Sequence, residues 1–190
     1  MNYVKPFNFL KKLPDKLNNF YKKHSRSKFK VDNKSKTIKD FDPVTNIDRG
    51  FEKYIRLLIH KSFPKDSVIG EEFKNKYSLN DFQWCIDPID GTRAFIIGAP
   101  TWSNLVGLSF RDKSLIGLAN FPELNKFYIS DHNKSYVVKD KKKLILKSSK
   151  NNDLKTIKII GNFHGTLSYE KQKKIIKRFG WSFRLAGFDA

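Results

Sequence analysis

Ile86-Asp87-Pro88-Ile89-Asp90-Gly91-Thr92 is the stretch from which the fold and the chemistry can be read. It follows a predicted strand, Gln83 to Ile86, and places two carboxylates three residues apart. Pro88 disfavours a helical conformation at Asp87 and fixes its own φ, so the segment is stiff. The carbonyl of Ile89 can then turn toward the same point as the two acids. Gly91 allows a sharp turn and a close approach of backbone. Thr92 is predicted to open a short helix whose first N–H groups face an anion held at the carboxylates. Two carboxylates, a carbonyl and an anion make a hard-cation arrangement, of the kind that suits Mg²⁺.

Acids upstream extend the pattern. Gly70-Glu71-Glu72 ends a predicted strand, 67–70, and can bring a third carboxylate. Asp42-Pro43-Val44-Thr45-Asn46-Ile47-Asp48 opens a predicted helix, 46–62, and can bring a fourth acid. Taken singly, Asp-Pro and Asp-Gly are turn formers and paired glutamates are solvated. Taken together, each at a strand end or a helix start, they point to one site.

The three motifs in order, Pro43-Val44-Thr45 to Asp48, Gly70-Glu71-Glu72 and Asp87-Pro88-Ile89-Asp90-Gly91-Thr92, resemble the inositol monophosphatase family. Arg93-Ala94-Phe95-Ile96 and Gly98-Ala99-Pro100-Thr101-Trp102 are most similar to its histidinol-phosphatase branch. The likeness runs from about residue 7 to the end. It implies a mixed α/β (α+β) chain in a layered αβαβα sugar-phosphatase-like fold, with the second domain incomplete. It also implies a Mg²⁺-dependent phosphomonoesterase. Carried over residue by residue, Glu71, Asp87, Asp90 and the Ile89 carbonyl would bind metal. Gly91 and Thr92 would hold phosphate through backbone N–H groups. Asp48, Glu71 and Thr92 would orient and deprotonate the attacking water. Asp189, with Gly187 and Phe188, falls where the family meets the organic part of its substrate. The implied reaction is in-line attack by metal-activated water, with no covalent phosphoenzyme. Histidinol phosphate is the expected substrate. Inositol monophosphate is the alternative, and a nucleotide such as 3′-phosphoadenosine 5′-phosphate is a third. One departure stands out: the family's C-terminal Trp-Asp-like motif, which completes its second metal site, does not follow Ala190. The chain is therefore expected to be a fragment of a longer gene product rather than a truncated paralogue. A non-catalytic polyanion-binding remnant is the rival from another class.

Composition bounds the rest. The chain has 190 residues, 39% of them hydrophobic, with 17 Phe, so it can bury a core. No apolar run approaches the roughly 18 residues of a membrane span. Met1 to Leu13 mixes Lys with Phe and does not read as a secretory signal. A single cysteine excludes an internal disulfide and makes a reducing, cytoplasmic compartment the default. The formal charge is +19, but only 7 of the 38 basic residues are Arg, and the lysines are dispersed. Nucleic acid is therefore not the expected partner. A small anionic phosphate ester is, and a homodimer is compatible with the reading.

Organisation follows from periodicity. A helical region is predicted over 7–29 with a break at Pro14, then an extended piece at 29–32 and a polar loop at 33–40. Strands at 103–111, 114–121, 126–131, 134–139 and 143–147 form a predicted meander, its first turn at Asp112-Lys113. The domain division is 1–150, helix pair plus antiparallel sheet carrying the site, and 151–190, the start of an α/β unit with strands at 156–161 and 181–185 around a helix at 169–179. His24, His60, His132 and His164 are scattered and read as surface or structural residues. Cys85 reads as an inert buried thiol, and Trp102 and Trp181 as core. Arg93 is left open between an anionic substrate and solvent.

Overall fold

The computed structural model describes residues 3–24, 29–35, 43–131 and 133–153, with helical positions at Glu170, Lys171, Lys173, Lys174 and Lys177. The chain divides into two compact units, Met1–Leu146 and Lys147–Asp189. The predicted strands at 156–161 and 181–185, and with them Asp189, His132 and His164, lie outside the described residues.

The first unit is a helix pair on a seven-stranded sheet. The order is α1 (Val4–His24), β1 (Val31–Asn33), β2 (Pro43–Thr45), α2 (Asn46–Ser62), β3 (Ser67–Gly70), β4 (Phe82–Asp90), α3 (Thr92–Ile96), β5 (Ser103–Phe110), β6 (Lys113–Phe121), β7 (Lys126–Ser130), β8 (Ser135–Lys139) and β9 (Lys142–Leu146), with one 3₁₀ turn at Pro122–Leu124. The sheet runs β3-β4-β5-β6-β7-β8-β9, and β1 pairs with β2 in a separate ribbon. Among the described strands, only β3 and β4 are parallel. The meander of the sequence reading is present. Its first turn lies one residue earlier, because Arg111 and Asp112 are the two left-handed residues between paired Phe110 and Lys113. Asp140 and Lys141 make the same two-residue turn between β8 and β9. Such turns match the twist of paired strands.

Three further expectations are corrected. Helix α1 runs unbroken through Pro14. An interior proline costs a helix about 3 kcal/mol, but Leu10, Leu13 and Leu17 on either side are fully buried and hold the face down. Pro43–Thr45 is a strand before it is a cap, since it pairs with Val31–Asn33. Cys85 is exposed, not buried. It alternates with Trp84 and Ile86, which are buried, so the thiol falls on the opposite face of β4.

Two tryptophans seat the helices on the sheet. Trp84 of β4 meets Phe9 of α1 at 5.4 Å and Phe63, just past α2, at 5.1 Å. Its indole N–H donates to buried Asp66 at 2.9 Å. Trp102 meets Tyr21, Phe51 and Phe95 at 5.0, 6.1 and 5.1 Å. Trp102 is buried core, as read from sequence. No helix among the described residues is long and apolar enough to cross a membrane.

Glu52, inside α2, is fully buried. Its carboxylate accepts from Arg56 Nε at 2.7 Å, from the backbone N–H of Glu72 at 2.6 Å and from that of Phe73 at 3.3 Å. It therefore clamps the turn that follows β3. Gly70 makes this approach possible, because a Cβ there would overlap the Glu52 carboxylate and come 2.8 Å from Arg56 Nη2. Gly70→Ala should lower unfolding stability by about 1–3 kcal/mol, measured by urea denaturation; an unchanged midpoint would contradict this packing.

Candidate active site

The site is assembled by a break in strand pairing. In a regular strand, residues three apart point to opposite faces, so Asp87 and Asp90 ought to diverge. They do not, because β4 carries a bulge. Asp87 pairs with Leu105 and Asp90 with Ser103, so three steps on β4 match two on β5. The extra residue restores the same face for both carboxylates. β4 thus extends to Asp90 rather than stopping at Asp87, as the sequence reading had it. Pro88 suits the bulge, having no N–H to place in the ladder.

A buried polar ladder holds the bulge. Asn104 Nδ2 donates to the Pro88 carbonyl at 2.6 Å, and Asn120 Nδ2 donates to Asn104 Oδ1 at 2.9 Å. Asn120 Nδ2 also lies 3.0 Å from Asn18 Oδ1 on α1. Ser103 Oγ donates to Asp90 Oδ2 at 3.4 Å. Gly91 then reverses the chain into α3 with φ of +84°, a conformation that suits only glycine well.

The other two acids arrive from separate elements. Parallel pairing sets Gly70 against Ile86, which brings Glu71 alongside Asp87. Asp48 stands in the first turn of α2, where it forms a reciprocal cap with Thr45. The Thr45 N–H donates to Asp48 Oδ2 at 2.8 Å, and the Thr45 hydroxyl donates to the same oxygen. Asp48 Oδ1 faces Thr92 Oγ1 at 3.4 Å, and that hydroxyl also lies 3.1 Å from the Ile89 carbonyl. The capping box thus holds a buried carboxylate against the residue that opens α3.

The electrostatics are those of crowded acids. Burial pushes the Asp87 carboxyl up to about 7, and repulsion from Glu71 and Asp90 adds to it. Asp87 Oδ1 is buried with no hydrogen-bond partner. Burial also raises Asp48, against hydrogen bonds from Thr45 and the charge of Lys34. Glu72 is raised by burial, with Lys34 opposing. Lys34 Nζ lies 2.6 Å from Glu71 Oε1 and 2.7 Å from Glu72 Oε1.

Glu71 follows the residue that pairs with Ile86, Asp87 and Asp90 share a face of β4, and Thr92 meets both Asp48 and the Ile89 carbonyl. The acids are close without being preassembled: among the described residues, no three His, Cys, Asp or Glu side chains already form a metal-ligand group. The sequence reading did not single out Glu52, Asn104 or Lys34. Glu52 carried a signal, standing four residues after Asp48 and three before Ile55 on the apolar face of α2. Asn104 was a polar residue inside an apolar strand. Lys34 lay in a loop with no periodicity to mark it.

Comparisons with known proteins bear on the family and the fold. The model of the inositol monophosphatase family matches residues 7–179. A histidinol-phosphatase of Chlorobaculum parvum is 43% identical over 90 residues, which are 47% of this chain and 35% of that protein. The chain thus spans about a third of the length of that curated relative. Staphylococcal IMPase-I complexed with products superposes with a TM-score of 0.80 at 16% identity, covering 97% of this chain and 68% of the other. An IMPase/NADP phosphatase complexed with Mg²⁺ and phosphate gives a TM-score of 0.67 at 17% identity, covering 94% and 64%. These structural likenesses show the layered α/β fold that the motifs implied. The chain belongs to the inositol monophosphatase family.

Proposed function

We propose that this chain carries the metal- and phosphate-binding part of a Mg²⁺-dependent phosphomonoesterase, with histidinol phosphate as its substrate. The observation that carries the reading is Asp87. Its buried, unpartnered oxygen and its raised affinity for a proton mark a place where negative charge is gathered and a cation is called for. The donors at hand are carboxylates and a carbonyl, and hard oxygen donors fit Mg²⁺. Glu71, Asp87, Asp90 and the Ile89 carbonyl would hold it. A bound Mg²⁺ lowers the pKa of water and neutralises charge on a phosphoryl group.

The protein's own groups supply the rest. The Thr92 hydroxyl has one proton and two acceptors, Ile89 O and Asp48 Oδ1. Turned toward Asp48, it leaves a lone pair free to receive a proton from water. Asp48, whose proton affinity burial has raised, is the acceptor at the end of that path. Glu71 would orient the same water. Gly91 and Thr92 would hold the phosphate through backbone N–H groups. The formal charge of +19 favours approach of an anionic ester. The preference for histidinol phosphate is supported by the likeness to a histidinol-phosphatase, 43% identical over 90 residues.

Two outcomes test the metal. Loss of a residue that hydrogen-bonds a metal ligand typically lowers metal affinity or activity about 10–100-fold, and loss of a ligand itself should exceed that. Asp90→Asn should therefore reduce Mg²⁺-dependent turnover by about 100-fold or more, with circular dichroism unchanged. Near-normal turnover at saturating Mg²⁺ would reject the ligand assignment.

The second concerns pH. The Asp87 carboxyl binds its proton more tightly folded than unfolded, moving from the ordinary 3.8 to about 7. Its contribution to stability is thus complete below its unfolded value and is lost as pH rises through about 7. In EDTA, Tm should fall across this window more steeply for the wild type than for Asp87→Asn. Parallel Tm profiles for the two proteins would remove Asp87 from this role. Substrate choice is read by assaying histidinol phosphate and inositol monophosphate side by side; a clear preference for inositol monophosphate would replace the first substrate with the second.

A further inference from the structure

The segment that follows β1 delivers a cation into the acidic cluster. Lys34 Nζ donates to Glu71 Oε1 at 2.6 Å and makes an ion pair with Glu72 Oε1 at 2.7 Å. The lysine side chain is three-quarters covered, and the Glu72 side chain is almost wholly so. The Lys34–Glu72 pair is thus shielded from solvent, while Glu71 is half exposed and its pair with Lys34 is partly open to water. The ammonium also acts on Asp48 from a distance, lowering its proton affinity. Burial pushes the ammonium down, yet the hydrogen bonds and charges of Glu71 and Glu72 outweigh it and raise the pKa overall. Glu71 is placed for this contact by the backbone rather than by the lysine, because Glu52 clamps the Glu72 and Phe73 N–H groups.

We propose that Lys34 is a built-in counter-cation that competes with divalent metal for Glu71. The inference rests on the reading of Glu71, Asp87 and Asp90 as metal ligands. A positive charge 2.6 Å from a ligand oxygen repels a second cation and occupies one of its lone-pair directions. Metal binding at Glu71 and the Lys34–Glu71 pair therefore oppose one another. Coupling between binding events is reciprocal, so a bound metal must also weaken the hold on Lys34. The two functions of the lysine have opposite signs. It stabilises the metal-free fold by neutralising adjacent acids, and it weakens metal binding. A lysine that merely braced the loop would give the same sign to both.

The test uses the full chain and Mg²⁺ alone. Titration calorimetry of metal-free Lys34→Gln should show Mg²⁺ binding roughly 5–10-fold tighter than wild type, within the usual range of coupling, while its Tm in EDTA is lower. Lys34→Arg retains the charge, adds a forked donor and should bind Mg²⁺ no more tightly than wild type. In the wild type, saturating Mg²⁺ should speed the reaction of Lys34 with an amine-reactive acylating reagent, scored by peptide mass spectrometry against the other lysines. Equal or weaker Mg²⁺ binding by Lys34→Gln overturns the proposal. If that variant does not fold without metal, tighter binding by Lys34→Arg, or unchanged acylation of the wild type, overturns it instead. Asp90→Asn separates the two levels. Undiminished Mg²⁺ binding there rejects the metal site itself, whereas lost binding there with no gain in Lys34→Gln rejects only the competition.

Discussion

The site depends on one irregularity in hydrogen bonding, the extra residue at Pro88-Ile89. A strand alternates its side chains, and two acids three apart cannot share a face without it. The bulge changes the parity of β4, and Asp87 and Asp90 then lie on one side of the sheet. The same irregularity leaves the Pro88 carbonyl without a ladder partner, and buried Asn104 satisfies it. Asn120 and Asn18 continue that line to α1. Both of the Asn120 bonds in this line are made by Nδ2, while its Oδ1 is buried without a partner. Were β4 to pair with β5 residue for residue from Asp87 to Asp90, with no bulge, Asp90 would turn to the opposite face.

A second set of acids is held from behind by α2. Asp48 and Glu52 stand on successive turns of one helix, both are buried, and each accepts from backbone as well as from side chains. Asp48 caps its own helix through Thr45, and Glu52 receives N–H groups from the turn after β3. One element therefore sets the position of Thr92's partner and of the Glu71-Glu72 turn together. Gly70 is the steric condition for this, since any side chain there would displace the Glu52 carboxylate.

Much of this was legible in the sequence because it is local. The period of α2, the cap at Thr45, the meander and the acid-rich strand ends are short-range signals, and they appear at the expected residues. The parts that were not legible depend on partners far along the chain. Pro14 reads as a break until Leu10, Leu13 and Leu17 are seen to be buried against the sheet. Pro43–Thr45 reads as a helix entrance until Val31–Asn33 is found beside it. The Ile86-to-Asp90 stretch reads as strand then loop, because a bulge is defined by the opposing strand, which no local pattern reports. Lys34 is the extreme case: 37 residues separate it from Glu71, and nothing in its surroundings distinguishes it from the many other lysines.

The exposure of Cys85 has a practical consequence. It is the only cysteine of the chain and stands two residues before Asp87, on the same face of β4. A thiol-reactive fluorophore or spin label can thus be attached at a single position without engineering the sequence. It would report from about 7 Å along the strand from the acid at the centre of the site. Occupancy of that site then becomes observable by spectroscopy, independently of any turnover.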